Sequence, residues 1–444
     1  MSTYDLIVRG GIVVSHAGAG LGDIGVRGGK IAAIGDLSQA SAGEVFDAAG
    51  LHVLPGVIDT QVHFREPGNE HKEDLETCTR AAALGGVAAV FEMPNTSPPT
   101  TSAEALADKL ARAKGRAHVD HAFYVGATVE NAEHLGELER LPGCCGVKTF
   151  MGSSTGTLLV GDDDGLDKVL RNIRRRGAFH AEDEARLNER KKFAREGDWT
   201  SHPEVRDDQT ALLAVQRLVA CARKHGKRVH VLHVSSAVEM EFLATAKDVA
   251  TVETLPQFLS FEGPGIYTRL NGFAQMNPPI RYAADRAALW SLGIAQGVVD
   301  VLGTDHAPHT REEKAQPYPK SPSGMPGVQT LVPVMLTHVN QGRLSLARFV
   351  DLTSAGPQRV FGIEGKGRIA LGYDADFTLV DMAARRTIRA EDQATRCGWT
   401  PFDGFEAQGW PMATMIRGAV VMRDGALVAP SLGAPMRFLE AMGS

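Results

Sequence analysis

Between Val53 and His309 the chain alternates short apolar runs with amphipathic stretches, many of them closed by glycine, and it does so eight times. After the run that ends at Gly56-Val57-Ile58 come VAAVFEM, HAFYVGA, GCCGVKTF, AFHAEDE, KRVHVLHVSS, VATVETL and VVDVLGTDHAPH, each reading as a strand. The intervening stretches read as helices. SAEALADKLARAKG has Ser102 as its cap, and DDQTALLAVQRLVACARKHG is the longest. Eight strand–helix units over about 300 residues predict a (β/α)8 barrel. A doubly wound parallel sheet would produce a similar alternation. The barrel is favoured because polar side chains capable of chemistry collect at the C-terminal ends of several strands.

The first run shows this most clearly. Strand side chains alternate, so Gln61, His63 and Arg65 in DTQVHFREPG are expected on one side, at the end of an otherwise apolar strand. The second strand ends in Met93-Pro94-Asn95-Thr96, the fourth carries Lys148, the fifth ends in His180, the sixth in His233, and the eighth in Asp305 with His306 and His309 behind it. Any one of these histidines alone is more often structural. His63, Lys148, His180, His233 and Asp305 together at strand ends describe a metal site of nitrogen and oxygen donors. An ammonium would be repelled from such a site. Lys148 is therefore expected as a carbamate, formed when the neutral amine takes up carbon dioxide, which supplies an anion with two oxygens able to bridge two metals. His230 is expected to support the ligands from behind, and His71, His121, His202, His225 and His306 to be ordinary polar residues.

The ends of the chain have a different character. Residues 1–52 read as short strands with glycine turns, and so do GRIALGYDADFTLVD, ATMIRGAVVMRDG and ALVAP. Neither end buries a core alone, so residues 1–54 and 360–444 are expected to meet as one small β-sandwich domain, with residues 55–359 forming the barrel. A net charge of -6 and the lack of a basic stripe with interleaved aromatics exclude a nucleic-acid binder; the run RNIRRR at 171–176 reads as a solvated helix end. Five cysteines without a CxxC pair give neither a disulfide framework nor a thiolate knuckle. No signal-peptide pattern and no long apolar span are present, so the cytoplasm is the expected location and no membrane is expected.

The segments FEMPNT at 91–96, KTFMGSSTG at 148–156, FHAEDE at 179–184, HVLHVSS at 230–236, MNPPIR at 276–281 and GTDHAPH at 303–309, with DTQVHFREPGNEHKED at 59–74, resemble the amidohydrolase superfamily and within it the class I dihydroorotases. The resemblance spans nearly the whole chain. It implies a barrel with a β-sandwich built from both termini, and one or two Zn2+ ions at the barrel mouth. It also implies a reversible interconversion of N-carbamoyl-L-aspartate with L-dihydroorotate and water, in pyrimidine biosynthesis. By that resemblance His63, carboxylated Lys148 and Asp305 would hold one metal, and Lys148, His180 and His233 the second. Asp305 would move the proton. Arg65, Asn95 and His309 would grip the substrate, and Asn277 would line the pyrimidine side.

One position departs from the family's His-x-His on strand one: Gln61 stands where the first histidine is expected. A neutral amide oxygen is a weaker zinc ligand than imidazole. The strand-seven segment ETLPQFLSF also lacks paired histidines. Three readings stay open: a dihydroorotase, a hydantoinase- or allantoinase-like hydrolase of another cyclic amide or ureide, and a non-catalytic homologue that partners aspartate transcarbamoylase. Arg65 and His309 favour an acidic small-molecule substrate. A homodimer is the default assembly. The loops at 152–164 and 306–327 are positioned to cover a substrate.

Overall fold

The structure, a computed structural model, describes residues 3–154 and 156–440. The alternating N-terminal segment forms β1 (Tyr4–Ser15), β2 (Gly18–Arg27), β3 (Lys30–Gly35), β4 (Ala42–Asp47) and β5 (His52–Pro55). The eight barrel strands follow: β6 (Val57–Val62), β7 (Val87–Glu92), β8 (Asp120–Gly126), β9 (Cys144–Phe150), β10 (Gly177–His180), β11 (Val229–Val231), β12 (Ala250–Thr254) and β13 (Val301–Leu302). The chain ends with β14 (Phe377–Thr387), β15 (Glu406–Ile416), β16 (Ala419–Arg423) and β17 (Ala426–Leu427).

The terminal strands hydrogen-bond as one nine-stranded sheet in the order β17-β16-β15-β14-β5-β1-β2-β3, with β4 also on β1. The two ends of the chain meet where β14 runs antiparallel to β5. They share an apolar cluster that includes Leu6, Val8, Ile24, Phe46, Phe377 and Met415. β5 passes into β6 through a single residue, Gly56. A side chain there would put its Cβ 2.8 Å from that of Ala88, so only glycine lets sheet and barrel approach this closely.

The barrel strands pair in parallel from β6 to β13 in chain order. The ring is closed by a parallel bridge between Val62 and His306 and by the His63 N–H donating to the His306 carbonyl at 2.7 Å. Both faces of this sheet are covered, which is why its strands read as near-continuous apolar runs. Helices such as Leu75–Leu84 and Asp208–His225 bury Leu75, Ala82, Val215 and Leu218 against the outside. Inside lie Ile58, Phe91, Tyr124 and Leu232, and at the N-terminal end Phe361 and Phe438 plug the barrel, each edge-on to Phe91 at 5.2 and 5.7 Å.

Besides Phe361 in the plug, two further stretches of residues 360–444 pack on the barrel. Residues 433–436 leave the sheet and bond to Ala117 and His121 beside β8, carrying Phe438 into the plug. Residues 394–399, between β14 and β15, reach up to the mouth, where the Trp399 indole N–H donates to the His309 carbonyl at 2.8 Å. No helix among the described residues is long and apolar enough to cross a membrane.

Candidate active site

The C-terminal ends of the barrel strands bring Gln61, His63, Arg65, Asn95, Lys148, His180, His233, Asn277 and Asp305 around one cavity. A wider cavity opens beside it and shares Ser154, Asn277 and Ser323, so the two form a continuous mouth. Three of the residues, Arg65, His233 and Asp305, hold positive φ angles of 66°, 39° and 45° although none is glycine. Such backbone is unfavourable for side-chain-bearing residues, and it concentrates where the surrounding structure overrides local preference. It lets the chain turn its functional groups inward just past the strand ends.

The mouth holds two groups of donors. In the first, Asp305 Oδ1 lies 3.1 Å from His63 Nε2 and accepts from Gln61 Nε2 at 3.0 Å. The other His63 nitrogen is 2.8 Å from Asn95 Oδ1. Asp305 is kept in place by its neighbour Thr304, whose N–H and hydroxyl both donate to the buried Asp59 carboxylate. In the second group, His180 Nδ1 faces His233 Nε2 at 3.0 Å. Glu182 stands 2.8 Å from His180 Nε2 and is itself held by Arg206. Burial lowers the pKa of His63, His180 and His233, so the three imidazoles are neutral and have lone pairs to offer.

Lys148 lies on β9, paired in register with Ala178 and Gly126. Its Nζ is buried with no hydrogen-bond partner and sits 4.4 Å from the centroid of the Phe150 ring. Burial brings its pKa down to about 7, against the pull of Asp305 and Glu253. Burial therefore favours the neutral amine, the form that reacts with carbon dioxide. Gln61 Oε1 is likewise buried without a partner. Because a carboxylate such as Asp305 only accepts, the amide nitrogen must face it, which fixes the direction of the oxygen. Buried polar atoms without partners inside a ring of neutral imidazoles and one carboxylate fit a divalent metal, with Gln61 engaged to Asp305 through its nitrogen.

The substrate-facing candidates also converge. Arg65 is 4% exposed. It donates through Nε to the Pro308 carbonyl at 3.1 Å, and its Nη2 is 3.2 Å from His309 Nε2. Among the described residues it makes no ion pair with a carboxylate. Burial pushes its pKa down to about 10. Burial, then the charge of Arg65, takes His309 down to about 3, so this ring is neutral. Asn277 contacts Ser154 and His202 at the seam between the cavities.

The structure also assigns places that the sequence reading missed. His202, read as ordinary, contacts the Met276 carbonyl and Asn277 and lines the wider cavity. His306 is structural: its Nδ1 accepts from the N–H groups of Gly327 and Val328. His230 lies a layer below the ligands, on Thr251 and the Phe361 ring, and supports none of them directly. Buried Lys314 donates to the carbonyls of Gln275, Pro322 and Gly324 at 2.9, 2.7 and 2.8 Å, tying the 306–327 loop to the Asn277 wall. In the other loop Ser154 reaches the cavity, while Thr155 lies outside the described residues. Glu182 was visible as the carboxylate two positions after His180; Trp399 left no signal in the sequence.

The amidohydrolase family model matches residues 52–421, and the chain belongs to that family. A dihydroorotase of Methanosarcina mazei is 37% identical over 439 residues, 95% of this chain and 94% of that protein. An allantoinase of Rubrobacter xylanophilus is 36% identical over 449 residues, covering 98% and 97%. Among solved structures, the L-hydantoinase (dihydropyrimidinase) from Arthrobacter aurescens superposes with a TM-score of 0.93 at 30% identity, covering 98% of this chain and 100% of its own.

Proposed function

We propose that the protein is a dihydroorotase, closing N-carbamoyl-L-aspartate to L-dihydroorotate and water and catalysing the reverse hydrolysis. The observation that carries this reading is Arg65. A buried guanidinium that lines the cavity without a carboxylate partner calls for an anionic substrate. Dihydroorotate carries a carboxylate, whereas allantoin and simple hydantoin rings do not. The similarity to a dihydroorotase over nearly the whole chain supports the same choice.

In this reading His63, Asp305 and Lys148 hold one Zn2+, and Lys148, His180 and His233 a second. Lys148 gains carbon dioxide on its neutral amine and releases one proton. Bound zinc supplies Lewis acidity and an acidified water. The chain's own groups do the rest. Arg65 and His309 hold the substrate carboxylate, Asn95 steadies His63 beside it, and Asn277 lines the ring. Asp305 accepts the proton of the attacking water and passes it to the ring nitrogen as the amide bond breaks; ring closure runs the same transfer backwards. The 306–327 loop, held by Lys314, covers the bound ring.

Gln61 supports a second reading. Its nitrogen is engaged by Asp305, so the first metal position has one imidazole where the family pattern has two. A single-metal enzyme, or a non-catalytic partner of aspartate transcarbamoylase, would follow from that loss. One experiment separates these readings: elemental analysis for zinc on the purified protein, with turnover of dihydroorotate, allantoin and hydantoin measured on the same sample. Zinc together with turnover of dihydroorotate alone is the expected result. Turnover of a neutral ring in preference to dihydroorotate would overturn the substrate. Neither metal nor turnover, after zinc and bicarbonate are supplied, would replace the enzyme with the assembly partner.

A further inference from the structure

At the opposite end of the barrel from the mouth, beside the aromatic plug, a cavity of about 200 Å³ is lined by Arg175, Arg176, Arg228 and Arg359 together with Phe361 and Glu440. Two of these arginines come from RNIRRR, expected as a solvated helix end. The helix Asp163–Asn172 stops first, Ile173 turns to extended backbone, and the run is drawn inward, leaving Arg175 only 5% exposed.

The charge here is poorly matched. Arg175 donates to the carbonyls of Glu139, Cys144 and Phe361 at 2.8, 2.9 and 3.2 Å and lies over the Phe438 ring. Arg176 donates from Nη1 to the Val229 carbonyl at 3.0 Å, and its Nε is buried without a partner. Among the described residues neither arginine makes an ion pair, and the buried Glu139 carboxylate accepts from the backbone N–H groups of Arg174 and Arg175, not from a guanidinium. Of the carboxylates nearby, Glu440 lies 3.8 Å from Arg228, Asp351 divides itself between Arg359 and Arg348, and Asp300, which pulls on Arg176, is itself paired with Lys247. Burial and the charge of Arg228 both push the Arg176 pKa down, to about 10, as expected where like charges are held together. Arg228 and Arg359 are half-exposed and leave the cavity open to solvent.

We propose that this cavity is a binding site for phosphate-class anions, taking inorganic phosphate or the phosphate tail of a larger molecule on the face of the barrel remote from the chemistry. Planar guanidinium groups present paired donors that match phosphate oxygens, and a bound anion relieves the repulsion among the four cations. Nothing in this proposal depends on the reaction at the mouth.

The test is calorimetric titration of the full chain with inorganic phosphate at ionic strength held constant with sodium chloride. Inorganic triphosphate and a nucleoside triphosphate follow as separate arms. Saturable phosphate binding is expected. It should weaken at least tenfold when Arg228→Gln and Arg359→Gln are combined, with the basal turnover unchanged. It should persist in Arg65→Met, which removes the guanidinium that lines the mouth cavity beside His63 and Asp305. Tighter binding of the nucleoside triphosphate than of the inorganic one would identify a nucleotide as the source, and equal binding the phosphate tail alone. Absence of saturable binding would overturn the proposal. So would binding lost in Arg65→Met and kept in the double variant, because that would place the anion at the mouth.

Discussion

Two buried polar regions of this molecule make a useful contrast. One is the mouth of the barrel. The other is the joint between the barrel and the terminal sheet, where Lys366 Nζ meets Asp120, Asp374 and Asp376 at 2.6, 3.0 and 2.5 Å and Arg417 Nη1 contacts both Asp120 oxygens at 2.6 Å. Both regions bury a lysine. At the joint, burial opposes the charge but three carboxylates outweigh it, and the Lys366 pKa is pushed up. At the mouth, burial wins over Asp305 and Glu253, and Lys148 falls to about 7 with its amine unpartnered. The joint is complete as folded, so it serves the architecture. The mouth leaves Lys148 Nζ and Gln61 Oε1 unsatisfied and holds three strained backbone positions, so it is completed by something the chain itself does not supply.

The sharpest way to test that difference is to remove one charged group at each place. Asp305→Asn keeps the shape of the mouth and should lower turnover by about 10³- to 10⁴-fold, with the thermal midpoint little changed; steady-state kinetics beside a melting curve reads both. Lys366→Met should do the reverse. It leaves three buried carboxylates facing one another and should cost about 3–5 kcal/mol of stability in urea titration, with kcat retained at temperatures where the chain stays folded.

Arg65→Lys comes next. It keeps the charge but loses the planar fork, and should raise KM for dihydroorotate by about 10²-fold, near 2.7 kcal/mol, with the fold intact by circular dichroism. Lys148→Met separates the two lysines directly. It should abolish zinc retention, yet stabilise the metal-free protein by about 1–2 kcal/mol, because an unpartnered buried amine is replaced by an apolar chain of similar length. A destabilised metal-free variant would show that Lys148, like Lys366, serves the architecture.

The smallest effect concerns His202, in the wall of the wider cavity. Burial and Arg206 hold its pKa down, at about 4, against about 6.5 when unfolded. Below pH 6.5 the unfolded chain takes up a proton that the folded one refuses until near pH 4, so stability falls as pH drops through that window, by about 1 kcal/mol at pH 5.5. His202→Gln should flatten the slope of urea midpoint against pH. An unchanged slope would take His202 out of the titrating set.

Eight strand–helix units, a gathering of His63, Lys148, His180, His233 and Asp305 at strand ends, and a union of the two chain ends were legible in the residues alone. These are local signals: period-two alternation within a strand, polar residues where a strand stops, glycine at turns. Tertiary structure alone decided how those groups face one another. Gln61 and Asp305 lie 244 positions apart and meet only because the bridge between Val62 and His306 closes the ring. The positive φ of His233 and Asp305 is imposed by their surroundings against local preference, so no propensity announces it. The same holds for Trp399 behind His309, Glu182 behind His180, and the arginines of RNIRRR turned toward a cavity instead of water. Periodicity specifies which side of an element is buried; what it is buried against depends on distant parts of the chain, and that is settled only when the barrel and the terminal sheet have packed together.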